Sequence, residues 1–172
     1  METVILGRTK IRASVMGLGC GGASRMGQGT GKSREQSLAV VRRALELGVN
    51  FFDTAEGYDN EDILGEGLQS SARPSVFIST KKGARDKDGL CAPESFRSGL
   101  EESLRRLRTD YVDVFHIHGL MIKDYEHARN HLVPVLLKAR EQGKIRFLGV
   151  TEAFHSDPGH MMLARAVNEE PW

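Results

Sequence analysis

Four residues of different chemical type stand at or just past the ends of apolar runs: Asp53, Tyr58, Lys81 and His118. The densest stretch is 50–58. There Phe51 and Phe52 run straight into Asp53, a short polar turn follows, and Tyr58 closes it. An acid at the end of a buried strand is costly unless it has a partner. If the four residues share one site, they bring together a carboxylate, a phenol, an amine and an imidazole. A phenol, with a pKa of about 10, is a poor acid at neutral pH. A nearby ammonium stabilises the phenolate and lowers that pKa. The carboxylate would keep the lysine charged and oriented, and the imidazole could donate a hydrogen bond to a carbonyl oxygen. The chemistry suggested is carbonyl reduction, with hydride arriving at carbon and Tyr58 supplying the proton.

Each residue also has a plainer reading. Asp53 could cap a turn, and Tyr58 could be a half-exposed loop tyrosine. Lys81 is followed by Lys82, and a lysine pair is usually solvated. His118 competes with His116, which alternation puts on the same strand face. His127, His131, His155 and His160 fall in helical or loop regions without a shared pattern and read as surface residues.

The elements that must position the four follow from periodicity. Residues 3–7 and 11–15 are short apolar runs separated by Gly7-Arg8-Thr9-Lys10, which predicts a hairpin. A second apolar run over 15–20 ends in Gly19-Cys20-Gly21-Gly22, and glycines there would let a ligand approach the backbone. Residues 23–32 read as a loop. Ser33, with Gln36 three residues on, makes a capping box for a helix whose apolar face is Leu38, Val41 and Leu45. Gly48 ends it, and 49–53 is the next strand. Asn60 is placed to cap a short helix carrying Ile63, Leu64 and Leu68. Residues 76–80 form a strand and a charged loop follows. Pro93 opens a helix with Phe96, Leu100, Leu104 and Leu107 at helical spacing. Residues 111–117 are a strand, 132–142 a helix with Pro134 near its start, 145–150 a strand and 159–168 a last helix.

Strict alternation of strand and helix predicts a parallel sheet with helices packed outside it, with five strands after the hairpin. The glycine-rich stretch 17–22 has no helix directly behind it, which counts against a dinucleotide fingerprint. Candidate functional residues at several successive strand ends are instead the habit of (β/α)₈ barrels. The 172 residues suffice for a single domain, 1–172, with a real core. A net charge of +1, from 24 basic and 23 acidic residues, gives no sign of a nucleic-acid or membrane partner. There is no run of about 18 apolar residues for a membrane span and no signal-peptide pattern at the start. Cys20 and Cys91 form no metal-spaced cluster and read as reduced thiols of a cytoplasmic protein.

Beyond composition and spacing, the sequence resembles the aldo-keto reductase superfamily over nearly its whole length, in order. Residues 53–58 (Asp-Thr-Ala-Glu-Gly-Tyr) look like the signature after the second barrel strand. Ile78-Ser79-Thr80-Lys81 is similar to the segment carrying the family lysine, and selects Lys81 over Lys82. Residues 100–107 and 110–113 resemble a further family stretch, which leads into 114–118 and selects His118 over His116. Residues 143–146 and 149–151 look like the approach and fifth strand. The resemblance implies a TIM-barrel type fold with the hairpin plugging its bottom, and NADPH-dependent reduction of an aldehyde or ketone, or the reverse. It makes Tyr58 the general acid, with Lys81 lowering its pKa, Asp53 pairing with Lys81 and His118 orienting the substrate carbonyl. Gly21 and Gly22 would lie near the nicotinamide, with Thr151 and Glu152 at its carboxamide. Many members have Ser-Asn where Thr151-Glu152 stands, and an ionised Glu accepts from an amide but cannot donate as Asn does.

A barrel of this type takes about 250 residues, and phosphate binding usually falls to loops after strands 7 and 8. About five βα units are expected here. The start reads as intact and the loss as C-terminal, so NADPH binding by this chain is expected to be weak. An uncovered sheet would favour self-association. The alternatives to a reductase are a nucleotide-sensing or scaffold barrel, and a fragment that functions only with another chain.

Overall fold

The computed structural model describes residues 1–172, the side chain of Phe154 excepted. The chain opens with the expected hairpin: β1 (Thr3–Ile5) and β2 (Arg12–Ser14) pair antiparallel. Asn50 joins this hairpin to the start of the sheet. Its side-chain oxygen accepts from the Ser14 amide at 2.7 Å, and its side-chain nitrogen donates to the Arg12 carbonyl at 3.1 Å. The hairpin therefore sits at the N-terminal end of the strand that begins at Phe51.

Next come β3 (Leu18–Gly19), α1 (Arg34–Glu46), β4 (Phe51–Asp53), α2 (Glu61–Gly67) and β5 (Phe77–Gly83). The capping box at Ser33 forms in both directions: the Gln36 amide donates to Ser33 Oγ at 3.3 Å and the Ser33 amide to Gln36 Oε1 at 3.0 Å. The charged loop after β5 holds a second small hairpin, β6 (Arg85–Asp86) with β7 (Gly89–Leu90). Its strands are two residues long, too short for alternation to register. Then follow α3 (Pro93–Leu107) and β8 (Val112–Leu120).

The next helix begins earlier than the expected residue 132. It runs as α4 (Tyr125–His127), a π turn (Ala128–Leu132) and α5 (Val133–Glu141). Tyr125, Ala128 and Leu132 are all fully buried. The wide π turn breaks the 3.6-residue spacing that would have revealed the extra turns. It ends two residues before Pro134, which has no N–H for the normal ladder. The chain continues through β9 (Ile145–Glu152) to α6 (Met161–Ala166), shorter at both ends than the expected 159–168.

The five long-range strands make one parallel sheet in the order β3-β4-β5-β8-β9, each neighbouring the next in sequence. Helices cover one face. Phe52, Ile78, Phe115 and Ile117 point into that layer and are buried, with Phe96 of α3 edge-on to Phe115 at 6.1 Å. This is the α/β architecture of the TIM-barrel type, incomplete at about five βα units. The opposite, inner face carries Asp53, Ser79, Lys81, His116 and His118, as strand alternation requires.

At the N-terminal end of the sheet, Asp113 of β8 clamps three strands. Its carboxylate accepts from the Ile78 amide at 3.0 Å, from Arg73 at 2.8 Å and from Arg146 at 2.7 Å. Arg73 also stacks on Tyr111 at 4.0 Å and donates to the Tyr111 and Val76 carbonyls. Among the described residues no helix is long and apolar enough to cross a membrane, and no group of three or more His, Cys, Asp or Glu is placed to hold a metal. Cys20 and Cys91 are both free and buried.

Candidate active site

The four residues singled out from the sequence come together on the inner face. Asp53 ends β4, and β5 lies alongside in parallel with Ser79 opposite Asp53. Two residues further along β5, Lys81 returns to the same face. Its Nζ lies 2.6 Å from Asp53 Oδ2 and 2.7 Å from the Thr54 carbonyl. So the acid at the end of the aromatic strand has its partner, and the lysine, 7% exposed, has its charge met. Lys81 Nζ sits 5.2 Å from the centre of the Tyr58 ring, and that ring meets His118 edge-on at 5.7 Å and 88°.

Lys82 is buried too, so neither lysine is the solvated residue that a pair suggests. Alternation sends Lys82 to the helix side, where its stem lies against Gly99 of α3. Its ammonium holds both oxygens of Glu56, at 3.0 and 2.8 Å. The two lysines thus grip the 53–58 stretch from its two sides.

The turn that carries Tyr58 is fixed by residues that sequence reasoning placed elsewhere. Asn60 does not cap α2 with its side chain. Fully buried, it donates to the Cys20 carbonyl at 2.7 Å and accepts from the Thr54 hydroxyl at 2.8 Å. That ties the end of β3 to the turn after β4. Gly21 gives room to Tyr58: a Cβ there would fall 2.6 Å from two ring carbons and 3.1 Å from the phenol oxygen. Gly22 has a left-handed backbone (φ 74°) and open space beside it.

The charges set the titration of the site. Burial, then the Asp53 carboxylate, push the Tyr58 phenol above its ordinary range. The lowering expected from Lys81 is not seen. Its ammonium is directed at Asp53 and the Thr54 carbonyl, so the pair presents little net positive charge to the ring. Burial and the Lys81 charge push His118 down, favouring neutral imidazole. The same causes take His116 down to about 4. The neighbouring Cys20 thiol is pushed up to about 12 by burial and Asp53.

Thr151 and Glu152 end β9, beside the end of β8. Thr151 Oγ1 accepts from the Gly119 amide at 2.8 Å, which leaves its hydroxyl proton to donate. Glu152 accepts from or shares a proton with His160 through Oε1 at 2.6 Å, while its buried Oε2 has no partner. His160 is exposed, as read from the sequence, and its imidazole also engages the end of β9. A hydroxyl with a proton to give and a carboxylate oxygen without a donor are the complements of a carboxamide, whose C=O accepts and whose NH₂ donates.

The aldo/keto reductase family profile matches residues 17–168. The chain is 36% identical over 157 residues to the L-galactose dehydrogenase of Arabidopsis thaliana, covering 88% of this chain and 48% of that protein. It is 32% identical over 155 residues to the uncharacterized oxidoreductase YqkF of Bacillus subtilis, covering 85% and 47%. Among solved structures, the holo form of aldo-keto reductase AKR11C1 from Bacillus halodurans superposes with a TM-score of 0.73 at 29% identity, over 88% of this chain and 50% of that one. The chain belongs to the aldo/keto reductase family. It spans about half the length of the curated relatives it matches.

Proposed function

We propose that this chain carries the proton-transfer half of an NADPH-dependent carbonyl reductase site, with Tyr58 as general acid. The observation that carries the reading is the Lys81–Asp53 ion pair at 2.6 Å beside a Tyr58 ring set edge-on to His118. Family membership supports an NAD(P)H-dependent oxidoreductase. The likeness to an L-galactose dehydrogenase supports the reverse direction, alcohol oxidation, as well as reduction.

In this reading a bound nicotinamide would supply the hydride for the carbonyl carbon. His118, held neutral by burial and Lys81, donates a hydrogen bond to the carbonyl oxygen and fixes its place. Tyr58 keeps its proton because its pKa is raised, and gives it to that oxygen as charge develops there. Lys81 and Asp53 hold the phenol side of the site rigid. Thr151 and Glu152 would hold the nicotinamide amide, with Gly22 giving open space beside it. Pairing with another polypeptide belongs to the same proposal, since β9 has a strand neighbour only in β8.

NADPH titration followed by fluorescence, then turnover of a nitrobenzaldehyde, tests the reading. Phosphate contacts in such barrels fall after strands 7 and 8. The 172-residue chain is therefore expected to bind NADPH with a Kd on the order of 1 mM, about −4 kcal/mol. Turnover should be slow. Micromolar binding would show that strands 1 to 5 suffice to hold the cofactor, and no turnover at any NADPH concentration would count against the reductase reading.

A further inference from the structure

Behind Asp53 runs a second row of polar contacts that the proton-transfer chemistry above does not use. Ser79 Oγ lies 2.8 Å from Asp53 Oδ1, and the same oxygen lies 3.1 Å from His116 Nε2. The contacts cross three adjacent strands, β4, β5 and β8. On the fourth strand, β9, Gly149 stands directly opposite His116 in the parallel register. A Cβ at Gly149 would fall 2.3 Å from His116 Nδ1, so the imidazole occupies the space that a side chain would fill.

The proton count of this row has one solution. Asp53, as the carboxylate of an ion pair, has no hydrogen to give. Ser79 has one, and it must go to Asp53 Oδ1. The Ser79 oxygen then acts as acceptor toward His116, so Nε2 carries the imidazole proton. Nδ1 is left bare, and it is a buried atom with no partner. The groups facing His116 are Lys81 from β5, Asp53 from β4 and His118 from its own strand, while β9 presents only the uncharged glycine. Burial and the Lys81 charge outweigh Asp53 and keep the ring neutral down to about pH 4.

We infer that Ser79 and His116 are positioning residues for the proton donor: His116 fixes the direction of the Ser79 hydroxyl, and Ser79 fixes the Asp53 carboxylate so that Oδ2 is left for Lys81. This rests on the reductase reading for its catalytic consequence. With both carboxylate oxygens engaged, Asp53 cannot rotate, and Lys81 keeps its place beside Tyr58. Without Ser79, Oδ1 faces the inner surface with no donor, and the lysine follows the carboxylate as it turns.

Two measurements on the full 172-residue chain separate the parts of this claim. Nitrogen-15 histidine NMR at pH 7 reads the tautomer without any activity. The Nε2–H form is expected for His116, with loss of that preference in Ser79→Ala. An Nδ1–H tautomer, or a charged ring at pH 7, would overturn the row itself. Aldehyde reduction at saturating NADPH reads the consequence. Ser79→Ala and His116→Leu are expected to lower kcat about tenfold, the scale of one hydrogen bond to a charged group, with KM for NADPH little changed. His116→Gln, which keeps a donor near the Nε2 position, should restore most of it. Unchanged kcat in Ser79→Ala beside an active wild type would reject the positioning role and leave the reductase reading standing. An inactive wild type with the Nε2–H tautomer would reject the reductase reading, and with it the catalytic role of the row.

Discussion

Tyr58→Phe is expected to lower the rate of carbonyl reduction about 10²–10⁴-fold, the usual contribution of a positioned general acid. NADPH affinity should stay within about twofold, since removing one hydroxyl leaves the ring, and with it the packing against Gly21 and His118, in place. Steady-state kinetics beside a fluorescence titration check both halves. The pH profile carries a second, signed expectation. Reduction needs the protonated phenol, and burial with Asp53 raises the Tyr58 pKa. The rate should therefore be sustained through neutral pH and fall only as pH rises past the ordinary phenol value of 10.0. Retained reduction in Tyr58→Phe would remove the phenol as proton donor.

The second large effect is structural. Asp113→Ala is expected to cost about 2–4 kcal/mol of unfolding free energy, because truncation leaves a buried amide and two guanidinium groups without their shared acceptor. The carboxylate is 1% exposed and joins β5, β8 and β9 at one point. Arg73 and Arg146 both retain some access to water, which keeps the cost below that of a fully buried pair. Asp113→Asn keeps one acceptor oxygen and should lose roughly half as much. Urea unfolding with linear extrapolation checks the order wild type, Asn, Ala. Equal stability of all three would mean that the clamp contributes nothing.

Much of this fold is legible in the sequence because its signals are local. The capping box at Ser33, the apolar spacing of α3 and the aromatic run into Asp53 each lie within a few residues, and each formed as read. The parallel sheet followed from alternation alone. What escaped depends on register or on distance along the chain. The π turn over Ala128–Leu132 conceals two helical turns by breaking the period. Asn60 looks like a helix cap, yet its partners are Thr54 and Cys20, the latter 40 residues away.

At the site, the family pattern chose Lys81 over Lys82. Geometry supplies the reason: alternation turns one to Asp53 and the other to Glu56. The same pattern chose His118 over His116. It gave no role to Ser79 or His116, whose link spans 37 residues and exists only once β5 and β8 lie side by side. The sign of the Tyr58 shift also needed coordinates. Burial and the Asp53 carboxylate raise the pKa, and the Lys81 ammonium is directed at that carboxylate rather than at the phenol.

The most direct test of the proton-donor site follows the hydride. The chain is incubated with a nitrobenzaldehyde and millimolar NADPH deuterated at the reducing carbon of the nicotinamide, and the alcohol is analysed by mass spectrometry. One deuterium at the former carbonyl carbon from wild type, with about 10²–10⁴-fold less labelled alcohol from Tyr58→Phe, is the expected result. Equal label from both proteins, or alcohol without deuterium, would contradict a nicotinamide-dependent reduction completed by Tyr58.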